Sequence, residues 1–423
     1  MARADRRANA ALGHAADERA ITGLIFVAAY AALAVGGVPW LRVDRTGVAI
    51  VGAVLMVATG AIGFDDAARA VDFRTLVLLF SMMIIVAYLR LAGGLAAVAA
   101  VAVARVERPA ALLVLLVLAS GILSALFVND TICLVFTPLV LDVCAARRLR
   151  PLPFLLALAT ASNIGSAATI TGNPQNILIG SLSGLSFARF LAALGPVALA
   201  GLALDAAALC LMFRGDLRQV DRLQISGSRV RIHRGLLWKT MTVTGFVLAG
   251  FLAGFDTAVV AASGAAVLLV TRRVRPQKVY TAVDWDLLML FVGLFVIVGA
   301  GERAGFDRRL FGWLSPLGVT TVGGLSATAA LLSNAISNVP AVMLFTRIVP
   351  RLPDPVTSWL ALAMSSTLAG NLTILGSIAN LIVVEGARRR GVRIGFVEYA
   401  AFGVPLTVTT LAFGVWWLSL RLY

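Results

Sequence analysis

Two long apolar stretches of this chain are each interrupted by polar, glycine-rich sequence, and the two interruptions resemble each other. The first stretch reads LFVNDTICLVFTPLVL and is followed by ATASNIGSAATITGNPQNILIG. The second reads LSNAISNVPAVMLF and is followed by AMSSTLAGNLTILGSIANLIV. Backbone that leaves the helical conformation at membrane depth is tolerated only where it is buried in protein or lines a cavity. Such breaks at matching positions of two halves therefore predict a binding site inside the membrane.

The composition places the chain in the membrane. Of its 423 residues, 60% are hydrophobic and only 13% are charged, whereas soluble domains carry roughly 25% charged residues. Apolar runs of about 20 residues recur along the chain and predict an all-α, multi-pass protein of the inner (plasma) membrane. The net charge of +15 comes from Arg clusters between these runs. That pattern is the positive-inside signal and excludes a nucleic-acid partner.

The apolar pattern predicts ten spans and two re-entrant hairpins. The spans fall at about 21–39, 46–63, 75–91, 109–146, 187–213, 235–254, 257–271, 285–301, 319–346 and 396–420, of which 109–146 and 319–346 are expected to be broken. The segments 153–184 and 356–384 are split by Gly- and Asn-rich centres, and their halves are short for a full crossing. We therefore expect these two segments to form the re-entrant hairpins.

The two halves of the chain repeat each other. Val71-Asp72-Phe73 matches Val283-Asp284-Trp285 at an offset of 212, and at the same offset Arg90 meets Glu302. Asn129 meets Asn338 at an offset of 209, and Gly172 and Asn176 meet Gly376 and Asn380 at an offset of 204. Each unit has five spans and one hairpin, and an odd number of spans makes the two copies inverted in the membrane. The predicted divisions are a polar tail (1–20), a first repeat (21–213), a basic linker (214–234) and a second repeat (235–423).

The distribution of Lys and Arg predicts the orientation. The loops 40–45, 90–108, 214–239, 272–278, 347–351 and 388–393 would share one side and carry 22 of the 36 basic residues. The positive-inside rule places this side in the cytoplasm and both termini outside. We interpret the linker as a solvated segment near the lipid surface.

The first broken stretch carries an acid in its centre. Asn129-Asp130 interrupts the apolar run, and an acid at this depth is costly and functional by default. The alternative is that Asp130 only caps the following half-helix. The second copy has Ser337-Asn338 and then Val339-Pro340, and proline suits the first turn of a helix. Asp130 is thus the expected proton or cation coupling residue. Asp205 is a second candidate, or else pairs with a neighbouring helix.

Matching polar clusters mark the tips of the two split segments. Gly172-Asn173-Pro174 predicts a turn, a helix cap and a first helical residue, and Gly376-Ser377 corresponds to it. The candidate ligand-binding residues are Asn129, Asn163, Thr169, Asn173, Gln175, Asn176, Ser337, Asn338, Thr367, Asn371, Thr373 and Asn380. Four half-helix N-termini would then converge, and their N–H groups favour anions or oxygen-rich ligands. Polar helix packing explains single residues of this kind but not two matched clusters.

The absence of basic residues narrows the ligand. The segments 120–145, 153–185, 326–346 and 356–384 contain no Lys or Arg. A multiply charged anion would depend on helix dipoles, amides and bound cations, whereas a neutral or weakly charged oxyacid fits more easily. Cys133, Cys144 and Cys210 form no metal-binding pattern, and the two His residues lie in the tail and a basic loop. No cofactor or metal site is indicated.

At these residues the chain resembles the ion transporter superfamily. ALFVNDTICLVFTPLVL and Ser337-Asn338-Val339-Pro340 resemble the two half-site segments of ArsB-type arsenite/antimonite permeases. GNPQNILI and AGNLTILGSIANLIV are more similar to the silicon-efflux and anion-permease branch. The resemblance implies inverted repeats, a scaffold and a transport domain, elevator-like movement and a homodimer. The turns GNPQN and GSIAN depart from the threonine-proline-proline turn of sodium-coupled dicarboxylate relatives.

The expected function is secondary active transport, not enzyme catalysis. The expected substrate is a small oxyacid or oxyanion of the arsenite, antimonite or silicic acid type, exported in exchange for protons, with membrane lipid as the surrounding partner. The alternatives are a sodium-coupled anion importer and an anion channel. An intramembrane enzyme is disfavoured because no His-Glu metal motif or Ser/His pair is available. No GxxxxGK[ST] phosphate loop is present, although a separate partner ATPase remains compatible with the chain.

Overall fold

The computed structural model describes residues 2–38, 41–97, 106, 108–218, 232–271 and 274–420, with the backbone alone for 2–18 and 38. The first half contains α1 (Ala2–Val35), α2 (Arg45–Ala58), α3 (Phe64–Ala70), α4 (Phe73–Leu91), α5 (Pro109–Leu126), α6 (Asn129–Ala146), α7 (Pro151–Ser166), α8 (Pro174–Ser183) and α9 (Phe187–Met212). The second half contains α10 (Arg234–Leu252), α11 (Thr257–Leu269), α12 (Pro276–Tyr280), α13 (Trp285–Arg303), α14 (Phe306–Leu314), α15 (Val322–Ile336), α16 (Asn338–Phe345), α17 (Pro355–Leu368), α18 (Ile378–Arg389) and α19 (Phe396–Leu420). A two-residue antiparallel pair, β1 (Gly37–Val38) and β2 (Val43–Asp44), joins α1 to α2. Most of the predicted linker 214–234 lies outside the described residues.

The prediction of an all-α membrane protein is confirmed. Seven of the described helices are long and apolar enough to cross a membrane, namely α4, α5, α6, α9, α10, α13 and α19. Three shorter apolar helices, Arg19–Val35, Arg45–Ala58 and Thr257–Leu269, coincide with predicted spans. The helix starts follow from local chemistry in both halves. Asp72 accepts a hydrogen bond from the Arg74 N–H at the start of α4, and Asp284 accepts one from Leu287 at the start of α13.

The helices form two groups. The frame helices, α1 to α4 and α10 to α14, pack mainly on one another. The site helices, α5 to α9 and α15 to α19, pack around the broken segments. We call the end of the bundle at which α10 and α13 begin end A, and the opposite end, at which α4 begins, end B. Contacts fix these directions, since Thr46 in the first turn of α2 bonds the Asp286 carbonyl at end A and Arg303 pairs with Asp66 at end B.

The hairpins lie elsewhere than the sequence predicts. Arg147, just after α6, donates a 2.6 Å hydrogen bond to the Val106 carbonyl just before α5. Residues 112–119 of α5 and 136–144 of α6 line the same apolar gap. The two helices are therefore antiparallel arms with both outer ends at end A, and the expectation of a broken span over 109–146 was wrong. Each arm has 18 residues and is about 27 Å long, so the pair is too long for one crossing.

The segment 153–184, predicted as a hairpin, is instead a broken span. Arg150 at the start of α7 pairs with Asp216 beyond the end of α9 at end A. Ser181 near the end of α8 donates to Asp72 at end B. The two helices have 16 and 10 residues, which together reach about 39 Å and suit a single crossing.

The second copy has the same arrangement, turned over. Arg347, beyond α16, pairs with Glu302 at end B, where α15 also begins. Arg390, beyond α18, contacts Asp142 at end A. Hence 319–346 forms the hairpin and 356–384 the broken span, and loop 347–351 lies opposite the other basic loops. Each unit still has five crossings and one hairpin, so the inverted relation holds. The repeat boundaries 21–213 and 235–423 remain predictions.

Candidate functional site

Asn163, near the end of α7, is the centre of a buried network of side-chain amides. Its Nδ2 donates to Asn371 Oδ1 at 2.8 Å and Asn380 Oδ1 at 3.0 Å. Its Oδ1 accepts from Asn129 Nδ2 at 3.0 Å and from Ser377 Oγ at 2.9 Å. One side chain thus joins the first hairpin tip to the broken span of the second copy. The sequence prediction that the two clusters converge is met at these residues.

Two equivalent asparagines bond the free carbonyls at the breaks in the spans. Asn176 Nδ2 donates to the carbonyls of Ser166 (3.1 Å) and Thr169 (3.0 Å). Asn380 Nδ2 donates to the carbonyls of Gly370 (2.6 Å) and Thr373 (3.1 Å), at the same offset of 204. These carbonyls lose their helical partners where each helix stops, and no water is available inside a bilayer to replace them. Asn176 and Asn380 therefore hold the breaks open as well as lining them.

A second set of predicted residues meets at Thr367. Its hydroxyl accepts from Asn173 Nδ2 at 3.1 Å and from Gln175 Nε2 at 3.4 Å, and it donates to Asn176 Oδ1 at 3.3 Å. Asn173 also caps α8, because its side chain accepts the Asn176 N–H at 2.9 Å. Ser377 caps α18 in the same way through Ala379 at 3.2 Å. These half-helix N-termini point their N–H groups into the site.

The remaining predicted residues lie at the hairpin tips or in the breaks of the spans beside them. Thr169 donates to the Ala125 carbonyl, and Thr373 donates to Asn334 Oδ1 at 3.0 Å. Ser337 and Asn338 are half-buried at the second tip, where Ser337 has φ +76°. A positive φ is unusual for a residue with a side chain and marks local strain. Asn129 begins the corresponding arm, and its N–H bonds the Gly172 carbonyl at 3.0 Å.

Several oxygen atoms at the hairpin tips and in the first break are buried without a hydrogen-bond partner. Within the described residues they are Asn129 Oδ1, Asn338 Oδ1 and Thr171 Oγ1. Ser124 Oγ and Ser333 Oγ, equivalent at offset 209, share this condition. A buried oxygen without a partner costs free energy unless something supplies a donor or a cation. The arrangement is thus suited to a ligand that offers hydroxyl groups or positive charge to these oxygens.

The two candidate coupling residues differ in surroundings. Asp205 is fully buried and accepts from Thr160 Oγ1 at 2.9 and 3.1 Å. The Thr160 carbonyl in turn accepts from Asn371 Nδ2 at 3.2 Å, which places Asp205 directly behind the amide network. Asp130 is partly exposed in the first turn of α6 and makes no hydrogen bond or ion pair with any described residue. It does not cap that helix, because α6 starts without a side-chain cap bond.

Sequence reasoning missed Thr160, Thr171 and Asn334. Thr160 lies in an apolar run, and only its contact with Asp205 gives it meaning. Asn334 lies one helical turn before Asn338, on the arm rather than at the break. Gly172 was predicted to form a tight turn, and a Cβ there would overlap the Ser166 backbone. Glycine is thus required where the chain folds back on itself after α7.

The chain is similar to known transporters over most of its length. The family model for the citrate transporter family CitMHS matches residues 30–364. The silicon efflux transporter LSI3 of Oryza sativa is 33% identical, with 89% of this chain and 93% of LSI3 covered. The putative transporter arsB of Dictyostelium discoideum is 26% identical over 89% of this chain and 87% of its own. The crystal structure of the YdaH transporter of Alcanivorax borkumensis covers 95% of this chain and 98% of its own, with a TM-score of 0.55 and 18% identity.

The structural likeness to YdaH supports the fold alone, whereas the family match and the rice relative extend through most of the chain. The chain is therefore a multi-pass membrane protein and belongs to the CitMHS citrate transporter family of the ion transporter superfamily.

Proposed function

We propose that the protein exports a small, neutral or weakly charged oxyacid, of the arsenite, antimonite or silicic acid type, in exchange for protons. The observation that carries the proposal is the set of unpartnered oxygens at the two hairpin tips and in the break of the first broken span, in a site without any Lys or Arg. Hydroxyl groups of such an acid would donate to Asn129 Oδ1, Thr171 Oγ1 and Asn338 Oδ1. The N–H groups at the half-helix N-termini would bond its oxygens.

The same chemistry argues against citrate, the substrate named in the family description. A tricarboxylate carries several negative charges, and charges desolvated inside a protein need paired cations. The four site segments supply no basic side chain. The names of the rice and Dictyostelium relatives instead concern silicon efflux and an arsB-type transporter. They support an uncharged hydroxide of a metalloid as substrate.

Proton coupling is assigned to Asp130. Its carboxylate lies one residue from Asn129 and has no fixed partner among the described residues, so it can exchange a proton when the ligand arrives or leaves. Asp205 would act behind it, through Thr160 and Asn371, by holding the amide network in position. The site helices would move against the frame helices in an elevator-like cycle, in a homodimer within the lipid bilayer.

A second candidate function is sodium-coupled import of an anion. The unpartnered oxygens that suit hydroxyl donors also suit a hard cation, since Na⁺ takes oxygen ligands at broken transporter helices. Two bound cations would then offset the missing basic side chains. Dependence on sodium separates this candidate from proton exchange.

The deciding experiment uses everted membrane vesicles without sodium, with end A facing outwards. An acidic vesicle interior should drive accumulation of arsenite, antimonite or silicic acid, and collapse of the pH gradient should abolish it. Accumulation that needs sodium and ignores the pH gradient would favour the second candidate. Equilibration without any concentrative step would indicate a channel and overturn both.

A further inference from the structure

The frame and site helices are held together by ion pairs at end B. Arg347 Nε lies 3.1 Å from Glu302 Oε2, and Arg351 Nη1 lies 2.6 Å from Asp307 Oδ2. The two arginines follow the second hairpin, and the two acids belong to the frame. Asp307 is nearly buried, with 7% of its side chain exposed. The arm α16 also packs against α13, and Tyr30 of α1 donates to the Pro340 carbonyl at 3.4 Å.

The first hairpin makes a different set of contacts at end A. Its arm α6 packs on the site helices α7 and α18. Asp142, near the end of this arm, contacts Arg390 beyond α18, so its ion pair stays within the site group. Arg90, at the end of the frame helix α4, is exposed and has no ion pair among the described residues. The two hairpins are thus in unequal positions relative to the frame.

The residues involved correspond to one another through the repeat. Arg90 corresponds to Glu302 at offset 212, in Arg90-Leu91-Ala92-Gly93 against Glu302-Arg303-Ala304-Gly305. Asp142 corresponds to Arg351 at offset 209, in FTPLVLD against FTRIVPR. The signs are exchanged, because the frame is acidic and the hairpin basic at end B, whereas the frame is basic and the hairpin acidic at end A. The partners Arg347 and Asp307 themselves correspond to Pro138 and Leu95, so end A offers one pair of opposite charges, Arg90 with Asp142, in place of two.

We propose that Arg90 and Asp142 form an ion pair in the opposite-facing state, which replaces the pairs Arg347–Glu302 and Arg351–Asp307. The inference rests on the proposed elevator-like movement. Alternating access in such transporters is largely a rigid-body movement of one group of helices against the other. In the state that faces the other side of the membrane, we expect the first hairpin to meet the frame as the second hairpin does in the structure. The first hairpin then meets the frame at end A, where Asp142 leaves Arg390 and reaches Arg90. The end-B ion pairs break in the same movement, so the ion pair at end A and the ion pairs at end B form in alternation.

Exposed ion pairs are individually weak. The ion pairs at each end therefore shift the relative populations of the two states without fixing either state. Loss of Arg90 should reduce the population of the opposite state about two- to five-fold. Loss of Glu302 should raise the population of the opposite state by a similar factor, because the second hairpin and the frame would then separate more readily.

Thiol cross-linking tests the exchange directly. Cys133, Cys144 and Cys210 are first replaced by Ala, and the pairs Glu302→Cys/Arg347→Cys and Arg90→Cys/Asp142→Cys are introduced separately. A flexible bis-thiosulfonate reagent of about 10 Å should link the end-B pair in the state described here. It should link the end-A pair only in the opposite state, and a link at either end should stop transport. Cross-linking of both pairs at once in a variant that carries all four cysteines would overturn the proposal.

Exchange of the two charges is a second test of the pairing. Arg90→Glu alone should lower cross-linking of an opposite-state reporter, and Arg90→Glu/Asp142→Arg, which copies the signs of end B, should restore it. Arg390→Ala controls for the partner that Asp142 leaves, and should raise the opposite-state population. A double variant no better than Arg90→Glu would contradict the pairing. Cross-linking needs no substrate. If the cross-links at the two ends form in alternation but no oxyacid is transported, the proposed substrate would be refuted and the proposed exchange of ion pairs would stand.

Discussion

Each half-site consists of one hairpin tip and the break in the span of the same repeat. The two half-sites have the same arrangement but differ in how rigidly their residues are held. In the first, Asn129 is buried, its N–H is bonded to Gly172, and Asn173 both caps α8 and bonds Thr367 across the site. In the second, Asn338 is half-buried, Ser337 has a positive φ, and the cap is the shorter Ser377. The first half also carries Asp130, where the second has Val339. The first half therefore combines the fixed scaffold with the titratable group, and the second is the half that can adjust to a ligand.

The largest effect is expected at Asn163, which joins the halves. Asn163→Ala removes four hydrogen bonds. It leaves Asn371 Oδ1 and Asn380 Oδ1 without this donor, and Asn129 Nδ2 and the Ser377 hydroxyl without this acceptor. Each buried group left unsatisfied costs about 1–3 kcal/mol. We expect transport to be abolished and the thermal unfolding temperature in detergent to fall by several degrees. Ser326→Ala is the matched control, because Ser326 is buried with an unpartnered hydroxyl, and it should leave both properties unchanged.

Asp130→Asn tests the division of labour between the halves. The amide keeps the size of the carboxyl group and cannot exchange a proton. We expect proton-driven accumulation to be lost in vesicles, while exchange of substrate without a gradient continues. Val339→Asp should not replace it within the same chain, because the second half has no equivalent surroundings. Normal accumulation with an unchanged pH dependence in Asp130→Asn would disprove the assignment.

The glycines at the two breaks should separate the rigid half from the adjustable one. A Cβ at Gly172 would overlap the Ser166 backbone, whereas one at Gly376 would lie 2.9 Å from both Asn334 Oδ1 and the Gly370 carbonyl. Overpacking typically costs about 1–3 kcal/mol. Gly172→Ala should be at the upper end of this range and Gly376→Ala lower, because the Asn334 side chain can move. Chemical denaturation of the two variants in the same detergent compares them, and equal losses would contradict the difference.

Asn173→Ser should have the smallest effect, because it makes the first cap resemble the second. Serine caps helices about as well as asparagine, so the bond to the Asn176 N–H is retained. The bonds to Ser166 Oγ (3.0 Å) and Thr367 Oγ1 (3.1 Å) are lost, at a cost of about 1 kcal/mol each. We expect a drop of a few degrees in unfolding temperature and at most a several-fold loss of substrate affinity. A loss of unfolding temperature or transport as large as that of Asn163→Ala would contradict this comparison of the two half-sites.

The sequence predicts the membrane class, the inverted repeat and most of the amide network, because these depend on local chemistry. Asn, Gly and Pro at matched offsets identify the breaks wherever the surrounding residues are apolar. The sequence does not predict which segment is a hairpin, since a hairpin arm such as α5 and a helix that crosses the membrane have the same apolar composition. Only contacts between distant residues, such as Arg147 with Val106, fix the direction of an arm. The link from Asp205 through Thr160 to Asn371 is likewise tertiary.

Both half-sites are proposed to bind one oxyacid between them. Crystals of a variant in which the three cysteines are replaced by Ala can be soaked with antimonite, and the antimony located by anomalous scattering. This shared binding mode predicts one antimony peak between Asn129 and Asn338, within hydrogen-bond reach of Thr171, that disappears in Asn129→Ala/Asn338→Ala. An antimony peak confined to one half-site, or found only outside the hairpin tips, would contradict it.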